Sequence, residues 1–505
     1  MSVTLWHRFA RTAGARAARP AVAHGDRVAS FADLMALARG WAAALAVAPG
    51  DRVVLAAGNS LDLAAAVPGI WARGAIPVFV NADAPDSHLR HALTQTGAAA
   101  LIADRPRDTG FGGAIHPVAA KADAPLPARP PQDGDAPGSI VYTSGSTGAP
   151  KGVVQAAATL ASGVDRIGGL LGYRPGDRIL CTVPFAFDYG WGQLLSVLLG
   201  GYTLVLPQPR GAAGICDALA LHRPTVLAGV PAVFADLLSG LAPIARTDRS
   251  SVRLITTTGS RLPDAVRQGL AGLFPAAALS LNYGLTETYR SASLPVAMAA
   301  SHPASVGFAV PGASLRVLRP DGSEAAVGEE GEVVHGGAGV FQGYWADPER
   351  TDAVLRPDPA WRDAGPDAGP APKVVFTGDL GHKDAKGRLY LHGRRDRQMK
   401  SMGVRVAPDE IEALLAQSGL LAEVAVVGRA HATVGDLIVA VVALPQGADA
   451  AQVLKALKRF ARETMSPFMQ PRDHIVLPAL PRNPNGKVEY PWLKRLAAGE
   501  EGTLG

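Results

Sequence analysis

Residues Tyr142 to Gly152 read Tyr-Thr-Ser-Gly-Ser-Thr-Gly-Ala-Pro-Lys-Gly, and those residue types suit one kind of partner, a polyphosphate. Gly145 and Gly148 permit backbone geometries closed to other residues and let N–H groups come close to an anion. Thr143, Ser144, Ser146 and Thr147 add hydroxyl donors, and Lys151 adds a positive charge. A flexible Gly/Ser linker is the plain alternative, but this stretch follows an apolar strand-like run, Ser139-Ile140-Val141-Tyr142, and precedes a segment of helix-forming character. The P-loop of kinases and GTPases needs Gly-Lys-Ser/Thr opening a helix. Here Lys151 follows Ala149-Pro150 and precedes Gly152, which is the wrong register.

Four more motifs follow in order: Asn282-Tyr283-Gly284-Leu285-Thr286-Glu287-Thr288, Thr377-Gly378-Asp379-Leu380, the run Gly393 to Arg405 and Pro481-Arg482-Asn483-Pro484-Asn485-Gly486-Lys487. In this order and spacing they resemble the acyl-adenylate-forming superfamily of acyl-CoA synthetases, peptide-synthetase adenylation domains and luciferases, over nearly the whole chain. Such an activity uses ATP and Mg2+. A carboxylate must attack the α-phosphorus of ATP, and two anions repel until a cation neutralises them.

The resemblance implies the following roles. Lys151, Glu287 and Lys487 supply the charges, with Glu287 as the magnesium ligand and Thr286 as a hydroxyl donor to the α-phosphate. Tyr283 stacks on adenine, with Asn282, Gly284 and Gly259-Ser260-Arg261 completing the nucleotide site. Asp379 holds the ribose and Arg394 reaches the ribose and phosphates. Asp396 occupies the hinge about which members of the family rotate a small domain. After that rotation Lys400 and Gly403 line a tunnel for a phosphopantetheine thiol, where a side chain at Gly403 would obstruct the thiol. A plain turn Asp at 379, a surface acid at 287 or a solvated lysine at 487 are the ordinary alternatives.

The stretch Pro184-Phe185-Ala186-Phe187-Asp188-Tyr189-Gly190-Trp191 resembles the family's acid-binding motif. Many acyl- and aryl-CoA ligases carry a histidine there, and amino-acid-activating members carry Phe-Asp. Asp188 then pairs with an α-ammonium, since a buried carboxylate needs a compensating cation; otherwise it caps a helix beginning near Trp191. Tyr189, Gly192, Ala232, Thr256, Thr258, Asn282, Arg290 and Ser291 are further pocket positions by their place relative to the motifs. Arg290 suits an anionic or hydrogen-bonding group if it points inward and is a surface residue if it does not. The leading expectation is a ligase that adenylates a small acid, an amino acid, and passes it to the phosphopantetheine thiol of a free-standing carrier protein. The stretch Tyr283 to Leu294 pulls instead toward an acyl-CoA synthetase for a non-amino acid, with CoA as acceptor. An inactive nucleotide-binding homologue is the third reading, and the intact Lys151, Glu287, Asp379, Arg394 and Lys487 oppose it.

The elements that must position these residues read as α/β. From about Phe31 to Leu206, apolar runs such as Asp51 to Ala56, Ala75 to Val80 and Tyr202 to Leu206 alternate with Ala/Leu-rich helical stretches. Continuous apolar runs bounded by Gly and Pro predict strands buried on both faces. Ala119 to Gly138 reads as a surface connection, and Arg356 to Pro372 as an exposed insertion. Beyond Gly393, helices over Asp409 to Ser418 and Ala450 to Met465, with strands over Val424 to Gly428 and Leu437 to Leu444, predict a compact α+β unit. The expected organisation is a large domain of helix-covered sheets over 1–393, a hinge at 394–397 and a small mobile domain over 398–505.

A chain of 505 residues, 48% hydrophobic and 18% charged, can bury a large core. No apolar run approaches the roughly 18 residues of a membrane span, and Leu5-Trp6-Phe9 opens an amphipathic helix rather than a leader. The net charge of +5 is spread along the chain with no basic block, which excludes a nucleic-acid motif. Cys181 and Cys216 form no metal spacing and fit a reducing cytoplasm.

Overall fold

A computed structural model describes residues 4–126, 134–143, 150–240, 242–363, 369–401, 404–431, 435–483 and 486–500. The chain forms two compact units. The first comprises residues 1–316, 334–376 and 387–389, and the second 317–333, 377–386 and 390–505. The second unit therefore gathers segments from well upstream of Gly393.

In the first unit, one sheet runs in the order Gly343–Tyr344, Lys151–Ala156, Pro137–Thr143, Ile76–Phe79, Arg52–Ala56, Ala100–Ala103 and Ala114–Pro117. Its strands are parallel from Pro137–Thr143 onward. A second series runs Arg27–Ser30, Pro20–His24, Thr203–Leu206, Arg178–Cys181, Val226–Gly229, Leu254–Thr257 and Ala278–Tyr283, all but the first parallel, followed by antiparallel Ala292–Leu294 and Ser305–Ala309. The period of two explains why these strands read as unbroken apolar runs. Val53 and Leu55, with Ile179 and Cys181, point into a core holding helices Phe31–Ala44, Leu61–Ala72 and Asp188–Gly200. Val54 and Ala56 instead face helix Asp86–Thr96. Leu180, Leu227 and Ile255 face the layer of Ala212–His222 and Pro231–Leu238. Every residue of Leu61–Ala72 is buried, as a helix between two sheets must be.

One expectation needs correction. The segment after the Gly/Ser-rich stretch is not helical at once: Lys151–Ala156 is a strand antiparallel to Pro137–Thr143, with Thr143 opposite Lys151. Its Val153 and Val154 fill core positions that a strand offers, and helix Ala157–Leu170 starts only afterwards. The Arg356 to Pro372 segment is anchored at both ends, since Leu355–Pro357 pairs with Lys373 to Val375. Residues 364–368 lie outside the described residues.

The second unit contains a sheet ordered Val404–Val406, Met399–Ser401, Gly435–Ala443 and Glu423–His431, with Asp473–Leu477 parallel to Gly435–Ala443. Helices Pro408–Ala416 and Ala450–Thr464 pack on the face of Val426, Ile438, Ala440 and Val442. Helix Tyr490–Ala497 covers the opposite face of Ala425, Val427, Val439 and Val441. The Arg397 guanidinium lies 3.5 Å from the centroid of the Tyr490 ring and bonds Asp409 at 2.6 Å and Glu412 at 2.8 Å. No helix among the described residues is long and apolar enough to cross a membrane.

Candidate active site

Strand Lys151–Ala156 delivers Lys151 at its first residue, and the 3-10 turn Thr286–Thr288 delivers Glu287. Lys151 Nζ stands 3.1 Å from Glu287 Oε1. Tyr344 joins them: Lys151 Nζ donates to its hydroxyl at 2.6 Å, and that hydroxyl donates to Glu287 Oε1 at 2.7 Å. The Lys151 ammonium also lies 4.3 Å from the centroid of the Tyr344 ring. Burial alone would lift the Glu287 carboxyl, but the Lys151 ammonium and the Tyr344 hydroxyl outweigh it and hold the group below the usual glutamate range. Glu287 is thus a buried carboxylate kept ionised. Magnesium in nucleotide enzymes is held through one or two carboxylates plus phosphate oxygens, and Glu287 fits that part.

Supporting contacts fix this corner. Gln155 Nε2 donates to Thr286 O at 2.5 Å, and the Phe341 N–H donates to Glu287 O at 3.0 Å. Thr143 Oγ1 is buried with no hydrogen-bond partner among the described residues. Ser144, Gly145, Ser146, Thr147 and Gly148 lie outside the described residues. Tyr344 and Gln155 were not legible as site residues: Tyr344 is 57 positions from its acid. The available signal was Gly343-Tyr344-Trp345, a glycine and two aromatics between Gln342 and Ala346.

A second cluster forms where Leu254–Thr257 and Ala278–Tyr283 run side by side, with Thr256 opposite Ser280. Asn282 and Tyr283 belong to that strand and are buried. Asn282 Nδ2 lies 3.0 Å from Thr256 Oγ1 and 3.1 Å from Thr257 O. The Tyr189 hydroxyl donates to Thr256 O at 2.8 Å. Arg290 is turned inward, only 7% exposed, with its guanidinium 5.4 Å from the centroid of the Tyr189 ring. Four expected pocket residues, Tyr189, Thr256, Asn282 and Arg290, therefore meet. Ser291 is buried but its hydroxyl donates to Thr288 Oγ1 at 2.9 Å, tying its own turn. Thr258 is buried just past the end of its strand, and Ala232 is half-buried in helix Pro231–Leu238. Gly259, Ser260 and Arg261 are exposed after Leu254–Thr257, and Gly284 follows Tyr283 directly.

Asp188 corrects the cap alternative. Helix Asp188–Gly200 starts at Asp188 itself with Phe187 as its N-cap, so Asp188 lies in the first turn, half-buried, three residues before Trp191. Gly192 follows in the same helix.

In the second unit, Asp379 does not follow a strand but lies inside Lys373–Lys383, because Gly378, at φ 73°, bends that strand without ending it. Arg394 Nη1 stands 3.5 Å from Asp379 Oδ1 and donates to Thr377 O at 2.9 Å. Arg394 Nε also pairs with Asp396 Oδ1 at 3.2 Å. The structure thus joins the residues expected at the ribose to the expected hinge. Lys487 is exposed on a turn where its N–H donates to Asn483 Oδ1 at 3.0 Å and its carbonyl accepts from Asn483 N at 2.8 Å. Lys400 lies in strand Met399–Ser401, while Gly403 falls outside the described residues. Cys181 and Cys216 are buried free thiols, and burial pushes Cys181 up to about 12, which leaves it unreactive.

Two family models match the chain, AMP-binding enzyme over residues 9–345 and AMP-binding enzyme C-terminal domain over residues 410–487. The indoleacetate–CoA ligase of Aromatoleum aromaticum is 34% identical over 381 residues, covering 73% of this chain and 69% of that protein. The sulfoacetate–CoA ligase of Cupriavidus necator is 32% identical over 413 residues, covering 80% and 75% respectively. The crystal structure of ATP-bound MatB from Rhodopseudomonas palustris matches with a TM-score of 0.85 at 26% identity, over 99% of this chain and 100% of that one. The chain belongs to the AMP-binding enzyme family as an AMP-forming acid–thiol ligase that uses ATP with Mg2+.

Proposed function

We propose that the enzyme activates a small carboxylic acid other than an amino acid and transfers it to CoA. The observation that carries this reading is the buried Arg290 guanidinium over Tyr189. Bringing an α-ammonium to that cluster would desolvate two cations together, whereas an acid without an amine avoids the repulsion. The CoA-ligase relatives support the acceptor. In the first half-reaction a carboxylate oxygen attacks the α-phosphorus, the new P–O bond forms and pyrophosphate leaves. In the second the CoA thiol gives up its proton to solvent, its sulfur attacks the acyl carbon, and AMP departs with the electron pair of the broken C–O bond.

Lys151, Thr143 and Thr286 bind phosphate oxygens, and Glu287 would hold Mg2+, which supplies charge neutralisation. Tyr283 and Gly259-Ser260-Arg261 bind adenine, and Asp379 and Arg394 the ribose. Lys487 serves adenylation. Lys400 and Gly403 serve the thiol after rotation about Asp396. The boundaries 1–393, 394–397 and 398–505 express this division of labour.

Asp188, half-buried in the first turn of its helix, favours a second reading in which an amino acid is loaded onto a carrier-protein phosphopantetheine. ATP–pyrophosphate exchange over a panel of acids separates the two. We expect aliphatic or aryl acids to respond, Asp188→Ala to keep that response, and CoA to accept the product. Exchange confined to amino acids and abolished by Asp188→Ala would replace the first reading with the second.

A further inference from the structure

Arg290 leaves an unmet demand. Its Nη1 is buried and has no hydrogen-bond partner among the described residues. A buried charged donor without an acceptor is costly and persists where a ligand supplies the acceptor. The surrounding groups do not discharge it. Tyr189 and Tyr289 are pushed up to about 12 by burial, and burial also raises Tyr173 well above its ordinary value, so all three stay protonated. Asp188 is the carboxylate that acts on both Tyr189 and Tyr289, yet it does not bond Nη1.

The backbone spends strain to place this side chain. Tyr289 sits at φ 57° and ψ −53°, an unusual conformation for an aromatic residue, between the Thr286–Thr288 turn and strand Ala292–Leu294. Its ring packs where Gly163 leaves room, since a Cβ there would stand 2.6 Å from Tyr289 Cε1. With Tyr289 turned this way, Arg290 points at the Tyr189, Thr256 and Asn282 cluster rather than at solvent.

We infer that Arg290 is a specificity residue that receives a second anionic group, carboxylate or sulfonate, on the acid being activated. The preferred substrates are therefore dianionic: one carboxylate attacks ATP while the other anion accepts from Arg290. A planar guanidinium suits either oxyanion. The inference rests on the acid-activating reading above and adds a substrate class to it.

Matched acids test it: succinate against butyrate, glutarate against valerate, 3-sulfopropionate against butyrate, and phthalate against benzoate. Each is assayed for pyrophosphate release with ATP, Mg2+ and CoA. We expect at least one dianionic member to exceed its partner in kcat/KM by about 30-fold or more, the range for a buried charged hydrogen-bonded pair. Arg290→Gln should collapse that ratio toward one, and Arg290→Lys should restore part of it. Thermal-shift titration of the wild-type enzyme gives a second readout, with dianions raising the midpoint more than their partners. Monoanion preference in every pair, or an unchanged ratio in Arg290→Gln, overturns the inference. If Arg290→Gln does not fold, the wild-type ratios and thermal shifts decide. If no acid releases pyrophosphate, the acid-activating reading fails, and equal shifts by both members of every pair overturn the Arg290 assignment separately.

Discussion

At the scale of single residues, the proposed catalytic corner is joined by a hydroxyl that touches both charges. Tyr344→Phe removes the donor to Glu287 and the acceptor from Lys151, and we expect activity to fall about 10-fold with a loss of about 1 kcal/mol in stability. Glu287→Gln should cost more, 100-fold or beyond, with a raised requirement for Mg2+ in a magnesium titration of pyrophosphate release. Because the folded pKa of Glu287 lies below its unfolded value, its contribution to stability is present above the unfolded pKa and is lost as pH falls through the folded one. His335 has a different acid limb. It is fully buried, and burial holds its imidazole down at about 4. The unfolded chain binds that proton first, so stability drops as pH falls below about 6.5 and levels off below the folded value. Between pH 7.5 and pH 5 this single group should remove about 2 kcal/mol, and His335→Gln should flatten that part of a denaturation profile.

At the scale of elements, helix Asp188–Gly200, which carries the proposed acid-site residues, packs its start against the preceding loop. A Cβ on Gly190 would stand 2.1 Å from Pro184 O, a backbone atom that cannot swing aside. Gly190→Ala should therefore shift the helix start, destabilise the protein by about 2 kcal/mol and raise KM for the acid more than KM for ATP, measured by chemical denaturation and by steady-state assay. A bland buried glycine would show the stability loss without the split in KM.

At the scale of the whole molecule, the two half-reactions should separate genetically. We predict that Lys487→Ala lowers adenylation about 100-fold while thioester formation from a supplied acyl-adenylate stays near wild type. Lys400→Glu or Gly403→Trp should do the reverse. Equal loss of both half-reactions in all three variants would show that the residues beyond Gly393 do not divide the work in this way.

The sequence by itself determined the layered α/β plan, because strands buried on both faces must be apolar throughout, as in Val53 to Ala56 and Leu204 to Leu206. It also determined the motif residues that sit close together in the chain, such as Thr286 and Glu287. Local patterning misplaced boundaries where one residue carries the change: Lys151–Ala156 became a strand because sheet pairing overrode its neighbours' helical character, and Asp379 stayed in a strand that bends at Gly378. Only the tertiary structure decided that Tyr344 joins Lys151 to Glu287, that Asp188 begins its helix, and that Arg290 turns inward with a nitrogen unmet among the described residues. Those facts come from contacts between distant segments and from the positive φ of Tyr289, and neither periodicity nor residue type encodes a long-range contact or the direction of one buried side chain.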